Sequence, residues 1–162
     1  MNTKRMRNVL IVIILLICVI SIVALLFPNI MTRVHYNDPY KRVLLYQKAL
    51  VDIINYDKDL MPGSKKIGVC FSRMNISSDD KQSVLEYLNK CCPIEVVEYQ
   101  LSKKPSDGVF WCEIYFDGFK DGCVVIWSTS FGGQLGGAGY KGYYQYRNNH
   151  WALVKQKYGW LS

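Results

Sequence analysis

The chain has 162 residues, half of them hydrophobic, and carries +7 from 20 basic and 13 acidic side chains. Setting aside one long apolar run leaves about 130 residues, enough for one domain whose core excludes any need for disulfide or metal staples. The charge is segregated: residues 1–33 carry +4, residues 34–121 carry −1, and residues 122–162 carry +4 without a single acid.

Val9 opens and Phe27 closes an unbroken run of nineteen uncharged residues. As a helix rising about 1.5 Å per residue it covers about 28 Å, close to the hydrocarbon thickness of a bilayer. A transmembrane helix is therefore expected over 9–30, after a basic stub at 1–8 and before a linker at 31–37, with membrane lipid as its partner. Lys4, Arg5 and Arg7 favour a cytoplasmic N-terminus and an extracytoplasmic domain over 38–162, although Arg33, Lys41 and Arg42 flank the far side. A cleaved signal peptide competes with this reading. Its apolar core is about 7–15 residues and ends in a small-x-small site, whereas Ala24 is followed by Leu-Leu-Phe. Cys18 sits mid-run behind the bulky Ile17, so it reads as a small apolar residue in lipid rather than a lipid attachment point.

Asp38-Pro39 reads as a helix start, an N-cap followed by proline in the first turn. Val43, Leu44, Tyr46, Leu50, Val51, Ile53 and Ile54 then recur at three- and four-residue spacing up to the stop at Met61-Pro62-Gly63. Near-balanced charges on the other face suit core packing rather than a membrane-surface helix. Residues 66–72 read as a strand, Ser77 to Asp80 as the cap of a second helix reaching Asn89 with Val84, Leu85 and Leu88 inward, and residues 94–101 as a further strand. If those strands are parallel neighbours, they form a right-handed crossover.

The remainder reads as β. Phe110, Cys112, Ile114 and Phe116 alternate with Trp111, Glu113 and Tyr115; a turn is expected over 117–122, a strand over 123–129, then a glycine-rich stretch FGGQLGGAG. Residues 140–147 and 150–157 close a hairpin across Asn148-Asn149, a pair suited to positive φ. The expected fold class is α+β: a transmembrane helix followed by one small domain, its five- to six-stranded, mainly antiparallel sheet carrying two helices on one face.

Catalytic chemistry finds little support. Gly137, Gly139 and Gly142 match G-x-G-x-x-G, but a strand pattern follows them and no acid occurs after Asp121, so no dinucleotide site and no cofactor is expected. With two histidines, His35 and His150, and no Cys-x-x-Cys or HExxH, no metal site is expected. Glu95, Glu98, Glu113 and Asp117 offer carboxylates, yet nothing singles out a glycosidase pair. Cys70, Cys112 and Cys123 lie in apolar strands and read as small buried hydrophobes, leaving Cys91 or Cys92 as the candidates for any bridge. One enzyme remains as an alternative: a membrane-anchored cysteine hydrolase using Cys112 or Cys123 with His150 as base.

Between Phe131 and Trp160, six further aromatic residues interleave with Lys141, Arg147, Lys155 and Lys157. Such a pattern also marks single-stranded nucleic-acid platforms, but an extracytoplasmic location makes nucleic acid an unexpected ligand. Tyr140, Gly142, Tyr144 and Tyr146 share one parity as an inward sheet face would. The outward set Tyr143, Arg147, Trp151, Lys155 and Lys157 is the candidate contact surface for a protein partner or an anionic envelope polymer. The run GGQLGGAGYKGYYQYRNNHWALVKQKYGWLS resembles the closing hairpin of small bacterial membrane-anchored or secreted proteins, some similar to immunity proteins of toxin systems. That resemblance implies an α+β, non-enzymatic binding or protective module and transfers no site residue. A structural component of a membrane assembly is the second alternative.

Overall fold

Pro39 decides where the N-terminal helix stops. A proline disfavours helical geometry in the residue before it, and Asp38 accordingly adopts φ −70°, ψ 116°, with its side chain accepting from the Lys41 backbone N–H. The computed structural model describes residues 3–58, 63–100, 109–132 and 136–161. The chain turns at Asp38 between α1 (Thr3–Asn37) and α2 (Pro39–Tyr56). Residues 31–37, expected as a linker, are instead the last turns of α1, since neither glycine nor a further proline interrupts them.

Along the apolar run the large side chains described on α1 are about half exposed or more, Leu25 reaching 73 %. No described part of the protein covers them, which separates α1 from a buried core helix. It is the one described helix long and apolar enough to cross a membrane. Its last turns behave differently and belong to the folded domain. Tyr36 is buried, stacked on Phe116 at 4.4 Å and edge-on to Phe119 at 5.5 Å.

The strands are β1 (Lys66–Cys70), β2 (Glu95–Glu98), β3 (Val109–Lys120), β4 (Cys123–Phe131), β5 (Gly137–Arg147) and β6 (His150–Leu161), with α3 (Ser78–Cys91) between β1 and β2. They form one mixed sheet in the order β2-β1-β3-β4-β5-β6. β1 pairs in parallel with both β2 and β3, and the other pairs are antiparallel. The expected crossover is therefore present, while the parallel β1–β3 pairing, whose connection passes through residues 101–108 outside the described set, is an addition to the expected order. Two further corrections come from backbone chemistry. The turn expected over 117–122 is only Asp121-Gly122, both at positive φ as a two-residue hairpin requires; β3 continues to Lys120 because Gly118, at φ +126°, hosts a bulge. The strand expected from Tyr140 begins earlier, at Gly137, within the glycine-rich stretch.

The core lies between the helices and one sheet face. Leu45, Leu50 and Ile53 of α2 and Val84 and Leu88 of α3 join Ile67, Val69, Phe110, Cys112, Ile114, Val124, Ile126, Tyr140, Tyr144 and Trp151 in one continuous cluster. α3 is capped by Ser77, whose Oγ accepts from the Asp80 N–H, and carries Asp79 and Asp80 in its first turn where the helix dipole favours them. Asn89 clasps the edge strand β2 by donating to the Val96 carbonyl and accepting from the Val96 N–H, both at 2.8 Å.

Asp57 is the exception to this consistency. It caps the C-terminal end of α2, where the dipole disfavours a negative charge, and it is buried with Ser130 Oγ donating to its carboxylate. Burial pushes its carboxyl above the usual range, against the lowering effect of the Ser130 hydrogen bond. The folded state thus holds a proton that the unfolded chain has released, so stability falls as pH rises from the ordinary carboxylate pKa to the raised one. Asp57→Asn is expected to flatten that dependence and to raise stability at neutral pH by about 1 kcal/mol, measured by urea unfolding of the two proteins at pH 4, 5.5 and 7.5.

Candidate functional site

Strand alternation sends a second set of side chains to the sheet face turned away from the helices. Three rungs run across it in register: Trp111 beside Phe131 and Gly137; Tyr115 beside Trp127, Lys141 and Lys157; Val125 beside Tyr143 and Lys155. Tyr99, Trp111 and Phe131 form a stack, with centroids 6.2 and 4.2 Å apart and planes within 18°. Tyr115 and Trp127 follow at 6.4 Å.

Glycines explain why the rings lie flat. A Cβ at Gly68 would come within 2.9 Å of Tyr99, one at Gly137 within 2.6 Å of Phe131, and one at Gly159 would collide with Trp127. Each aromatic occupies the space above a missing side chain, a pairing that restores packing at sheet glycines. Together they make a broad aromatic floor that no described helix covers.

Cations stand over that floor. Arg73 lies 5.2 Å from the Tyr115 ring centroid, Lys141 5.3 Å from Trp127 and Lys155 5.8 Å from Tyr143. Lys141 and Lys157 are directly opposite each other on β5 and β6, a like-charge pairing that destabilises a sheet unless compensated. Asp117 hydrogen-bonds Lys141 at 2.7 Å and thereby holds its ammonium above the usual pKa. Trp111 Nε1 is buried on this face without a hydrogen-bond partner among the described residues.

Of the five residues expected on the contact surface, Tyr143, Arg147, Lys155 and Lys157 point to this side and Trp151 does not. Tyr146 pairs with Trp151, and Leu153 with Tyr144, which puts both β6 residues on the helix face. Trp151 is 2 % exposed and its Nε1 donates to the Lys41 carbonyl at 2.6 Å. A bulge at Val154 then reverses the parity, so Lys155 and Lys157 emerge on the opposite side. Tyr143 is itself 7 % exposed beneath Lys155 and acts as a support for that lysine. The rings on β3 and β4 belong to the surface beyond the expected set, and the outward parity of Trp111 and Tyr115 is visible in the alternation of β3.

The alternative chemistries fare as follows. Cys112 lies inside the core and Cys123 at the start of β4, and burial raises both thiols, away from the thiolate a nucleophile needs. His150 is exposed at the β5–β6 turn with Nδ1 against the Asn148 carbonyl, and at least one whole strand separates it from either cysteine. Glu95, Glu98 and Asp117 each pair with a lysine, Lys66, Lys81 and Lys141, while Glu113 is held by Ser72 and Arg73. The G-x-G-x-x-G segment is a strand paired on both edges, with no helix N-terminus after it to receive a phosphate. Among the described residues no cluster of histidine, cysteine or acids could hold a metal, and all six cysteines are free.

Comparison of the chain with protein-family models, with curated proteins and with solved structures finds no match.

Proposed function

We propose that this is a single-pass membrane protein with a cytoplasmic N-terminus, whose extracytoplasmic α+β domain works by binding a protein partner with an acidic surface. Lys4, Arg5 and Arg7 ahead of the apolar run support the orientation. The observation that carries the binding reading is the aromatic floor with its overhanging cations. Tyrosine, tryptophan and arginine supply most of the contact energy at protein interfaces, and an anionic polymer recognised by charge alone would not need the flat rings. Lys155 and Lys157 set the sign of the partner, since neither makes an ion pair among the described residues, whereas Lys141 is already balanced by Asp117. A protective role of the immunity type is the biological form of this reading that the C-terminal hairpin suggests.

Charge reversal tests it. Lys155 and Lys157 are exposed and make no ion pair among the described residues, so the double variant Lys155→Glu/Lys157→Glu is expected to fold as the parent does. Crosslinking in intact cells followed by purification from solubilised membranes is expected to recover a discrete partner with the parent chain and at least about tenfold less of it with the variant, as loss of two interfacial charges implies. An unchanged crosslinking pattern would overturn the reading; a smear of polysaccharide in place of a discrete protein would replace the partner class.

A further inference from the structure

The hairpin turns at Asp121-Gly122 and Asn148-Asn149 lie at the same end of the sheet, and that end rests on α1 where the apolar run finishes. Gly122 is gripped from both sides: its N–H donates to Asn29 Oδ1 at 2.7 Å and its carbonyl accepts from Thr32 Oγ1 at 2.6 Å. Between helix and turns is a pocket of about 280 Å³. Its wall on the membrane side is Phe27, Pro28 and Met31, and its wall on the domain side includes His35, Gln145 and Arg147.

Position and chemistry both point to lipid. Phe27 ends the apolar run, and His35 stands eight residues, or about 12 Å, further along the helix; a headgroup layer is about 5–7 Å deep on each side of the hydrocarbon. The pocket therefore opens at headgroup depth, apolar below and polar above. Gln145 lines the pocket, and its Oε1 is buried with no hydrogen-bond partner among the described residues, so a turn of the amide toward the opening would give it a donor at no loss of an existing bond to that oxygen. Arg147 is exposed beside it and makes no ion pair among the described residues. Lys41 Nζ lies 3.0 Å from His35 Nδ1. An ammonium can only donate, so that ring is neutral with its proton on Nε2, a further donor at the pocket wall.

We infer that this pocket seats the headgroup of an anionic glycerophospholipid from the bilayer that α1 spans, one whose headgroup carries a hydroxyl. The phosphodiester meets Arg147, the Gln145 amide turns toward the opening so that the hydroxyl donates to its Oε1, and the acyl chains stay in the bilayer alongside Phe27. The volume suits a headgroup and excludes a whole lipid, which falls well outside it. Seated there, the lipid would fix the height of the domain above the membrane and present the aromatic face at a constant distance from it. This inference rests on the anchoring reading and is independent of the protein partner.

The test uses the full chain in nanodiscs of mixed phosphatidylglycerol and phosphatidylcholine, with co-retained lipid counted by native mass spectrometry after detergent release. The parent is expected to retain phosphatidylglycerol in preference to phosphatidylcholine. Arg147→Ala and Gln145→Leu should each lower that retention about 5–30-fold, the change that loss of one charge-assisted or buried hydrogen bond brings. Lys120→Ala, exposed on the same end but outside the pocket, should leave it unchanged. Equal retention of the two lipids, no effect of Arg147→Ala, or an equal effect of Lys120→Ala would overturn the site. Should Gln145→Leu fail to fold, Arg147→Ala decides alone, because that side chain is exposed. Failure of the parent to enter nanodiscs would instead sink the anchoring reading itself.

Discussion

Removing residues 1–27 is expected to move the protein wholly from the membrane pellet into aqueous extract as a folded domain, whereas removing residues 1–37 is expected to leave a domain that barely folds. Among the described side chains, the first cut takes away those of the apolar run, each about half exposed or more, and of the contacts with the domain it removes only the Phe27 edge of the pocket. The second also removes Asn29 and Thr32, which close the hydrogen bonds of the Gly122 turn, and Tyr36, whose ring fills the space between Phe116, Phe119 and Tyr46. Loss of one buried aromatic costs about 3–5 kcal/mol, against a total stability of about 5–15 kcal/mol for a domain. Urea midpoints of the two truncations decide the matter: equal midpoints would mean that α1 is a tether alone and takes no part in the fold.

The same junction carries one feature that local sequence encodes and one that it does not. Apolar length made the helix legible, because nineteen uncharged residues have few other uses. Where that helix should end was not legible. Residues 31–37 alternate polar and apolar types without a helix stop, and their role depends on a turn about 90 residues away, at Gly122, that local pattern cannot reveal. The domain shows a comparable division. Hairpins with Asp121-Gly122 and Asn148-Asn149 at positive φ are written in the residue types, and so are the caps Asp38 and Ser77. Parallel pairing of β1 with β3 is a long-range choice without a local signature.

The contact surface was half legible for a reason that can be named. Trp151, Leu153, Lys155 and Lys157 share a period of two, and an uninterrupted strand would put all four on one face. Val154 is the extra residue of a bulge, and nothing in Leu153-Val154-Lys155 announces it. One inserted residue sends the tryptophan inward and the lysines outward. The aromatic floor of β3 and β4 was hidden differently: alternation gave the parity of Trp111 and Tyr115, but whether a second layer covers that face is a property of the whole fold.

Trp151 supplies the sharpest separation of packing from contact. Trp151→Ala is expected to destabilise the domain by about 3–5 kcal/mol, the range for emptying a buried aromatic site, because the indole is enclosed between Tyr146 and α2. Trp151→Phe keeps much of that volume and removes only the Nε1 donor to the Lys41 carbonyl, which the helix still engages through its own backbone bond; a loss of about 1 kcal/mol follows, the net worth of one hydrogen bond. That carbonyl belongs to the first turn of α2, so the indole also fixes where α2 begins relative to β6. Lys155→Ala and Lys157→Ala, exposed on the other face, are expected to change stability by less than about 0.5 kcal/mol. Thermal unfolding of the four variants reads the difference directly. If Trp151→Ala were as stable as the lysine variants, the bulge at Val154 would not divide β6 as described, and the tryptophan would return to the contact surface with them.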